Sequence, residues 1–411
     1  MKSLRIAIVN YKSIDGVSYG QTKAVETIAR SVNAMENVQL QLFSLGRKNI
    51  KSTVFENISQ TVIDSAPYKE EGFSASRILD FSSLFLFGFK LNLERLNDNA
   101  MLYHSLKEFG PDIVITVTSN LYRFIEHYKA VNKSVKIISY MDSPRLIDDS
   151  LLALTNLNVS KTLQRVLKKL IKPRYINYYI KSYFRLAKCS DAIVVASDQD
   201  KKELIGVLGS EFAFRTFAIP PVIIERSSAF TNPVMDSSRK LRKILFLGAY
   251  SYYPNREAVE LIKSKIAPKL LDKEFVIIGK GAPKQRIGNV NIVGEVKNVK
   301  QVIRDADICI APLMHGSGMK QKILAYFQEN KPVIGTSLAF NGYAVKNKSN
   351  CIVEDDVDKF YLKIKELENN RKLLAKLIKN SAKICDDFLY SNIKDRWEKV
   401  VQSSITRHMA D

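Results

Sequence analysis

The sequence predicts an α/β protein of two domains, each built on a parallel sheet with both faces covered. Three observations carry this. The chain has 411 residues, enough for two domains with separate cores. Short apolar runs of strand length alternate with stretches of helical periodicity, the pattern of strand–helix–strand units. That pattern runs twice, interrupted near 224–241 by a polar stretch, IERSSAFTNPVMDSSRKL, without periodicity. The expected domains are 1–223 and 242–390, joined by a linker over 224–241, with a last helix over 391–411.

The first half opens with a strand over 4–10, a loop bearing Gly16 and Gly20, and a helix over about 21–34. A second strand covers 39–45, and 46–80 reads as polar and irregular. Residues 81–92, FSSLFLFGFKLN, are aromatic-rich but too short to span a bilayer, so they read as a core helix or a membrane- or acceptor-facing segment. A helix over about 94–108, a strand over 112–118, a helix over about 121–131 and a strand over 135–140 follow. The last strand of this half is 192–196, and Ser197 reads as the cap of a helix over 198–208.

The second half restarts with strands at 244–247, 275–278, 290–293, 308–311, 333–335 and 351–353, and ends in helical stretches over about 357–386 and 392–406. Ligands of open parallel sheets sit beyond the carboxyl ends of the strands. Glycine turns fall at those ends: Gly248, Gly279 with Gly281, Gly294, and Gly316 with Gly318. Backbone N–H groups and the positive end of the following helix point into the last of these turns, which suits a phosphate. Lys320 and Lys322 add charge there, and Lys280 follows Gly279. The set reads as a phosphate-lined crevice holding Ser317, Met319 and His315 beside the glycines; the plainer alternative is ordinary turns, a solvated Lys280 and an incidental loop histidine.

Ala311-Pro312-Leu313, Gly316-Ser317-Gly318, Lys320 with Lys322, and Lys331-Pro332-Val333 together resemble the donor-binding motif of retaining GT-B glycosyltransferases, in particular glycosyltransferase family 4. The likeness runs upstream, in the family's order, through Phe246-Leu247-Gly248, Pro254-Asn255, Ile278-Gly279-Lys280-Gly281, Gly294-Glu295 and Ala306-Asp307. It implies two Rossmann-like domains facing across a cleft, with the C-terminal helix crossing back to the first. It implies transfer of a sugar from a nucleotide-diphosphate donor, with retention and without a cofactor. The acceptor is expected to be a glycan or lipid-linked precursor of a cell-surface polysaccharide. Lys320 is then expected on the leaving phosphate, where electrostatic stabilisation contributes most. Asp142, in the loop after the strand 135–140, is similar to a family residue that hydrogen-bonds donor sugar or acceptor hydroxyl, though a turn residue needs no such role. The Gly16–Gly20 loop is similar to a loop near the donor diphosphate.

The chain departs from the family where two glutamates are usual: those positions hold Ser317 and Ala325, and the role does not transfer to Glu329. This keeps two alternatives open, a non-catalytic or glycan-binding GT-B partner and a sugar-nucleotide epimerase on the same fold.

The net charge of +21 points to an anionic partner. Between Lys161 and Lys188 lie nine basic residues and no acidic one, on two apolar stripes broken at Pro173. Such a helix fits an anionic membrane surface, or else packs on the core with its lysines solvated. No recognition motif supports nucleic acid. No apolar run reaches the ~18–20 residues of a membrane span, and the start, MKSLRIAIVNYKS, lacks the apolar stretch of a signal peptide. A cytoplasmic protein, peripheral on the inner membrane face, is expected. Cys189, Cys309, Cys351 and Cys385 are far apart and read as reduced thiols. The pairs Asp198/Asp200 and Asp305/Asp307 read as a helix start and a strand entry, so no metal is expected.

Overall fold

The structure, a computed structural model, describes residues 3–10, 19–46, 58–64, 95–117, 121–141, 176–221, 240–316 and 318–406. The chain divides into two units, Met1–Ile223 with Tyr390–Asp411, and Ile224–Leu389.

The first unit is a seven-stranded parallel sheet in the order β3-β2-β1-β4-β5-β6-β7. Its strands are β1 (Leu4–Asn10), β2 (Val38–Gly46), β3 (Ser59–Asp64), β4 (Ile113–Thr116), β5 (Lys136–Tyr140), β6 (Ala192–Val195) and β7 (Thr216–Ala218). The helices are α1 (Tyr19–Asn33), α2 (Arg95–Phe109), α3 (Tyr122–Val131), α4 (176–189) and α5 (Asp198–Leu208). Alternation along β1 sorts the core into two layers. Ala7 and Val9 pack with Leu102 and Leu106 of α2, Ile125 of α3 and Leu186 of α4. Ile6 and Ile8 face Val25 and Ile28 of α1.

The second unit holds β8 (Lys243–Leu247), β9 (Glu274–Ile278), β10 (Gln285–Ile287), β11 (Val290–Gly294), β12 (Ile308–Ala311), β13 (Val333–Gly335) and β14 (Ile352–Val353). Their order is β10-β11-β9-β8-β12-β13-β14, parallel except for the β10–β11 hairpin. Its helices are α6 (Tyr253–Leu261), α7 (Val299–Asp305), α8 (Gln321–Gln328), α9 (Phe360–Asn369) and α10 (Arg371–Ile384). After α10 the chain returns to the first unit as α11 (Tyr390–Thr406), whose Ile393, Trp397 and Val400 are fully buried on the β1 face that carries Ile6 and Ile8.

Several expectations need correction. The region read as irregular contains β3, a polar edge strand beside β2. The three-residue strands β7 and β10 were not anticipated, because so short a run carries no periodicity. The stretch 357–386 is two helices with short 3₁₀ turns at 357–359 and 385–388, the helices separated at Asn370. The strand expected over 351–353 is Ile352–Val353. Gly16, Asp142 and Ser317, the aromatic patch 81–92, most of the linker and 161–175 lie outside the described residues.

For the remainder of the basic stretch, 176–188, the packing is clear. Tyr183, Leu186 and Ala187 are buried on the core, and Tyr178, Tyr179 and Phe184 pack against it. Lys181, Arg185 and Lys188 face outward. Arg185 pairs with Glu126 of α3 and lies over the Tyr122 ring at 5.5 Å, while Lys188 lies over Phe184 at 5.1 Å. The apolar side of this half of the stretch is turned to the protein core.

Candidate functional site

β8 and β12 are neighbours at the centre of the second sheet. The chain leaves β8 toward one side and β12 toward the other, so a crevice opens beyond their carboxyl ends. Four predicted glycines line the β8 and β9 side and the β12 turn. Gly279, after β9, stands so close to the β8 turn that a Cβ on it would lie 1.9 Å from the Gly248 carbonyl oxygen. A Cβ on Gly248 would in turn meet the Asn255 side chain at 2.6 Å. Gly316 and Gly318 have φ of 121° and 63°, the left-handed region where glycine is at ease. They fold the segment after β12 into a tight turn before α8.

Side chains fix this turn. The Lys320 ammonium donates to the Gly316 carbonyl at 3.1 Å and the Gly318 carbonyl at 2.7 Å, and the residue is only 7% exposed. The Lys320 carbonyl accepts from Tyr343 Oη at 3.0 Å. The Leu313 carbonyl accepts from Thr336 Oγ1 at 2.6 Å. The Tyr326 hydroxyl, fully buried on α8, accepts the Leu247 N–H at 2.7 Å and so ties α8 to the end of β8. Lys320 begins α8 without a side-chain cap, and its carbonyl accepts the Ile323 N–H at 2.8 Å.

Lys322 lies deeper. Its ammonium donates to Asn255 Oδ1 at 2.6 Å and sits 4.2 Å above the Phe246 ring. Asn255 Nδ2 donates to the Ala249 carbonyl at 2.9 Å, which holds the amide with its oxygen toward the lysine. Burial, and secondarily the charge of Lys320, push the Lys322 pKa down to about 7. Among the described residues no carboxylate pairs with this ammonium; its neighbours are an amide oxygen and a ring face. It is the groove's cation with the most to gain from an incoming anion.

At the mouth, His315 Nδ1 lies 2.7 Å from Glu257 Oε2 of α6, and its ring faces Tyr253 at 6.3 Å. Met314 and Tyr252 are exposed beside it. Lys280 and Gly281 are exposed on the β9 turn; Gly281 has φ 74°, and the Lys280 carbonyl accepts from Tyr250 N at 2.8 Å. Met319 is half-buried in the glycine turn. Gly20 is the second residue of α1, in the first unit. The structure therefore gathers Gly248, Gly279, Gly281, His315, Gly316, Gly318, Met319 and Lys320 at one end of one sheet.

Two residues matter more than the sequence reading gave them. In the sequence Lys322 reads only as a neighbour of Lys320, yet its half-buried ammonium is the one held by an amide oxygen rather than a carbonyl clamp. Glu257 had no signal, since it is 58 positions from its histidine partner. Glu329 is accounted for differently: it ends α8 nearly buried and pairs with Arg304 at 2.5 Å. The aspartate pairs are structural. Ser197 Oγ accepts from Asp200 N at 3.1 Å and donates to Asp200 Oδ2 at 2.6 Å. Asp307 Oδ2 accepts the Arg242 and Lys243 N–H groups at 2.8 Å each. A separate cavity of about 650 Å³, lined by Lys240, Arg242, Asp272, Glu274 and Asp307, opens at the amino ends of the strands, where carboxylates and lysines offset one another.

Residues 241–370 match the family model of glycosyl transferases group 1. No curated protein matches the chain by sequence. Among solved structures, it is similar to Anabaena HepE in complex with UDP, at 12% identity over 98% of this chain and 100% of that one, with a TM-score of 0.64. It is similar to the lipopolysaccharide outer core galactosyltransferase WaaB, at 14% identity over 97% and 99% of the two chains, with a TM-score of 0.61. It is also similar to sucrose-phosphate synthase from Thermosynechococcus elongatus, at 12% identity over 97% and 98%, with a TM-score of 0.64. Residues 241–370 thus match the glycosyl transferases group 1 model, within a chain that has the GT-B type of α/β fold.

Proposed function

We propose that the chain is a glycosyltransferase of the hexosyltransferase type. It moves a sugar from a nucleoside-diphosphate donor to a glycan or lipid-linked acceptor of cell-surface polysaccharide, with retention and without a metal, at the cytoplasmic face of a membrane. The observation that carries the reading is the left-handed Gly316–Gly318 turn with Lys320 and Lys322 beneath it, at the switch point of the second sheet. The HepE complexes with UDP and with UDP-glucose support a donor of this class.

When the bond to the sugar breaks, the departing diphosphate gains negative charge. The positive end of the α8 dipole lies at the turn and need not reorganise. Lys320 keeps the turn in shape through its two carbonyls while adding positive potential. Lys322 supplies a cation that an anion would fully protonate, because a nearby opposite charge favours the charged form. The His315–Glu257 pair at the mouth offers hydrogen bonds to sugar hydroxyls. Asp142 is assigned to the donor sugar or the acceptor hydroxyl, and Gly16 to the diphosphate side of the first unit. With Ser317 and Ala325 in place of carboxylates, a binding protein without turnover is the second reading.

Thermal shift against a panel of nucleoside diphosphates and their sugars tests the site, since a ligand of the folded state raises the melting temperature by mass action. A rise with at least one nucleotide, lost in Lys322→Met, is expected. No rise with any nucleotide at millimolar concentration removes the reading. Hydrolysis or transfer of the stabilising donor then separates an enzyme from a binder.

A further inference from the structure

α10 presents a ridge of lysines that the donor site does not use. Successive residues of a helix turn by about 100°. With Lys372 as origin, Lys376, Lys379 and Lys383 fall within about 40° of it. Leu374, Leu377, Ile378, Ser381 and Ile384, all buried, lie on the opposite side. The four lysines are exposed, and 371–384 contains no acidic residue. None of the four has an ion pair among the described residues, whereas Lys265, Lys273, Lys348 and Lys363 of the same unit do. Like charges three and four apart on a helix repel, so the isolated protein gains nothing from this arrangement. Asn380 Nδ2 donates to the Ser349 carbonyl at 2.9 Å, which holds the loop bearing exposed Lys346 against the helix.

We propose that this ridge docks the second unit onto an anionic phospholipid surface. Four ammonium groups along roughly 16 Å of helix meet the diffuse negative field of a bilayer as flexible point charges. The ridge has no aromatic side chain on which a base could stack and no arginine fork on its outer line, so beyond its charge it offers nothing that recognises a base. It exposes no large apolar side chain, so the contact is electrostatic and without insertion. The docking deepens the membrane-face part of the proposed function but needs no nucleotide, so vesicle binding and nucleotide binding can fail separately.

The test is co-sedimentation of the full chain with vesicles of phosphatidylcholine alone and of equal parts phosphatidylcholine and phosphatidylglycerol. Binding to the mixed vesicles only, released by high salt, is expected. The variant K372Q/K376Q/K379Q/K383Q is expected to bind several hundredfold more weakly, at about fivefold per lysine. Its melting temperature should hold or rise, because the substituted side chains are exposed and their repulsion is gone. A second variant, K181Q/K188Q on α4, is expected to bind within a fewfold of the parent. The proposal is overturned if the parent fails to bind mixed vesicles or binds both kinds equally. It is also overturned if the α10 variant keeps its binding, if the α4 variant alone loses it, or if duplex nucleic acid binds the chain more tightly than the mixed vesicles at equal phosphate concentration.

Discussion

Gly279 and Gly281 stand two residues apart in one turn, yet they are glycines for different reasons. At Gly279 an added Cβ would lie 1.9 Å from the Gly248 carbonyl, and backbone must move to admit it. At Gly281 the space is open and only the φ of 74° disfavours a side chain. Gly279→Ala should therefore cost about 3 kcal/mol or more, and Gly281→Ala about 1 kcal/mol, in chemical denaturation. Equal costs would contradict the packing described. The sequence marks both positions as turn glycines, but the difference depends on a strand neighbour about thirty residues away in the chain and is not legible there. The lysines behave alike: Lys-x-Lys after a glycine turn signals phosphate, but only the hydrogen-bond partners tell the clamp, Lys320, from the available cation, Lys322. Lys322 carries a pH prediction. Its pKa is lowered to about 7 in the folded chain, against about 10.4 when unfolded. Between those values the unfolded chain binds more protons at this site, so its contribution to stability rises with pH and is least favourable below about 7. A bound diphosphate favours the charged ammonium, so nucleoside-diphosphate affinity should fall as pH rises from 7 to 9, a range above the phosphate's own titration. Calorimetric titration should find that slope in the parent and not in Lys322→Gln, which is also weaker at pH 7.

At the scale of elements, the alternation of apolar strands and amphipathic helices was enough to place the central strands β1, β4, β5, β8, β9 and β12, because these are buried on both faces and read as continuous apolar runs. The edges escaped. β3 is SQTVID, whose polar half looks like loop, and β10 is exposed along its whole length. The glycine turn was legible because its chemistry is local, a strand, two glycines, two lysines and a helix within some twenty residues. The His315–Glu257 pair was not, since it joins two elements by their side chains alone. α11 shows the same division. Its amphipathic period is visible in the sequence, but its place on the β1 face is decided by packing, with Trp397 fully buried among Ile8, Val25 and Ile393. Trp397→Ala should cost about 3–5 kcal/mol of the first unit's stability. Far-ultraviolet dichroism under denaturant would register it as a loss confined to that unit. A chain ending at Leu389 should leave the first unit's sheet uncovered and protease-sensitive, while the second unit resists digestion. Resistance of both would mean that α11 is dispensable cover.

For the whole molecule, the two units have separate cores and share the chain unequally, since the first is completed by residues that follow the second in sequence. Such a chain need not unfold in one step. The candidate phosphate groove is built wholly from the second unit, between the ends of β8, β9 and β12 and the start of α8. A nucleoside diphosphate binding there stabilises that unit first, and the first unit only to the extent that the two are coupled. Hydrogen exchange resolves the two cases residue by residue. Addition of the stabilising nucleotide should slow exchange of the N–H groups over 246–256 and 313–324, which form the groove. Slowing should be weaker over β1, β4 and α11, which belong to the other unit. Protection that instead centres on the amino ends of the strands, near Asp272 and Asp307, would assign the ligand to the cavity at the other end of the sheet. Equal slowing everywhere would mean that the units behave as one cooperative body, and the degree of that coupling is then read directly from the ratio of the two protections. The acceptor arm of the proposal meets the same measurement: an acceptor held by the first unit should add protection there only once the nucleotide is bound, if binding of the one prepares the site for the other.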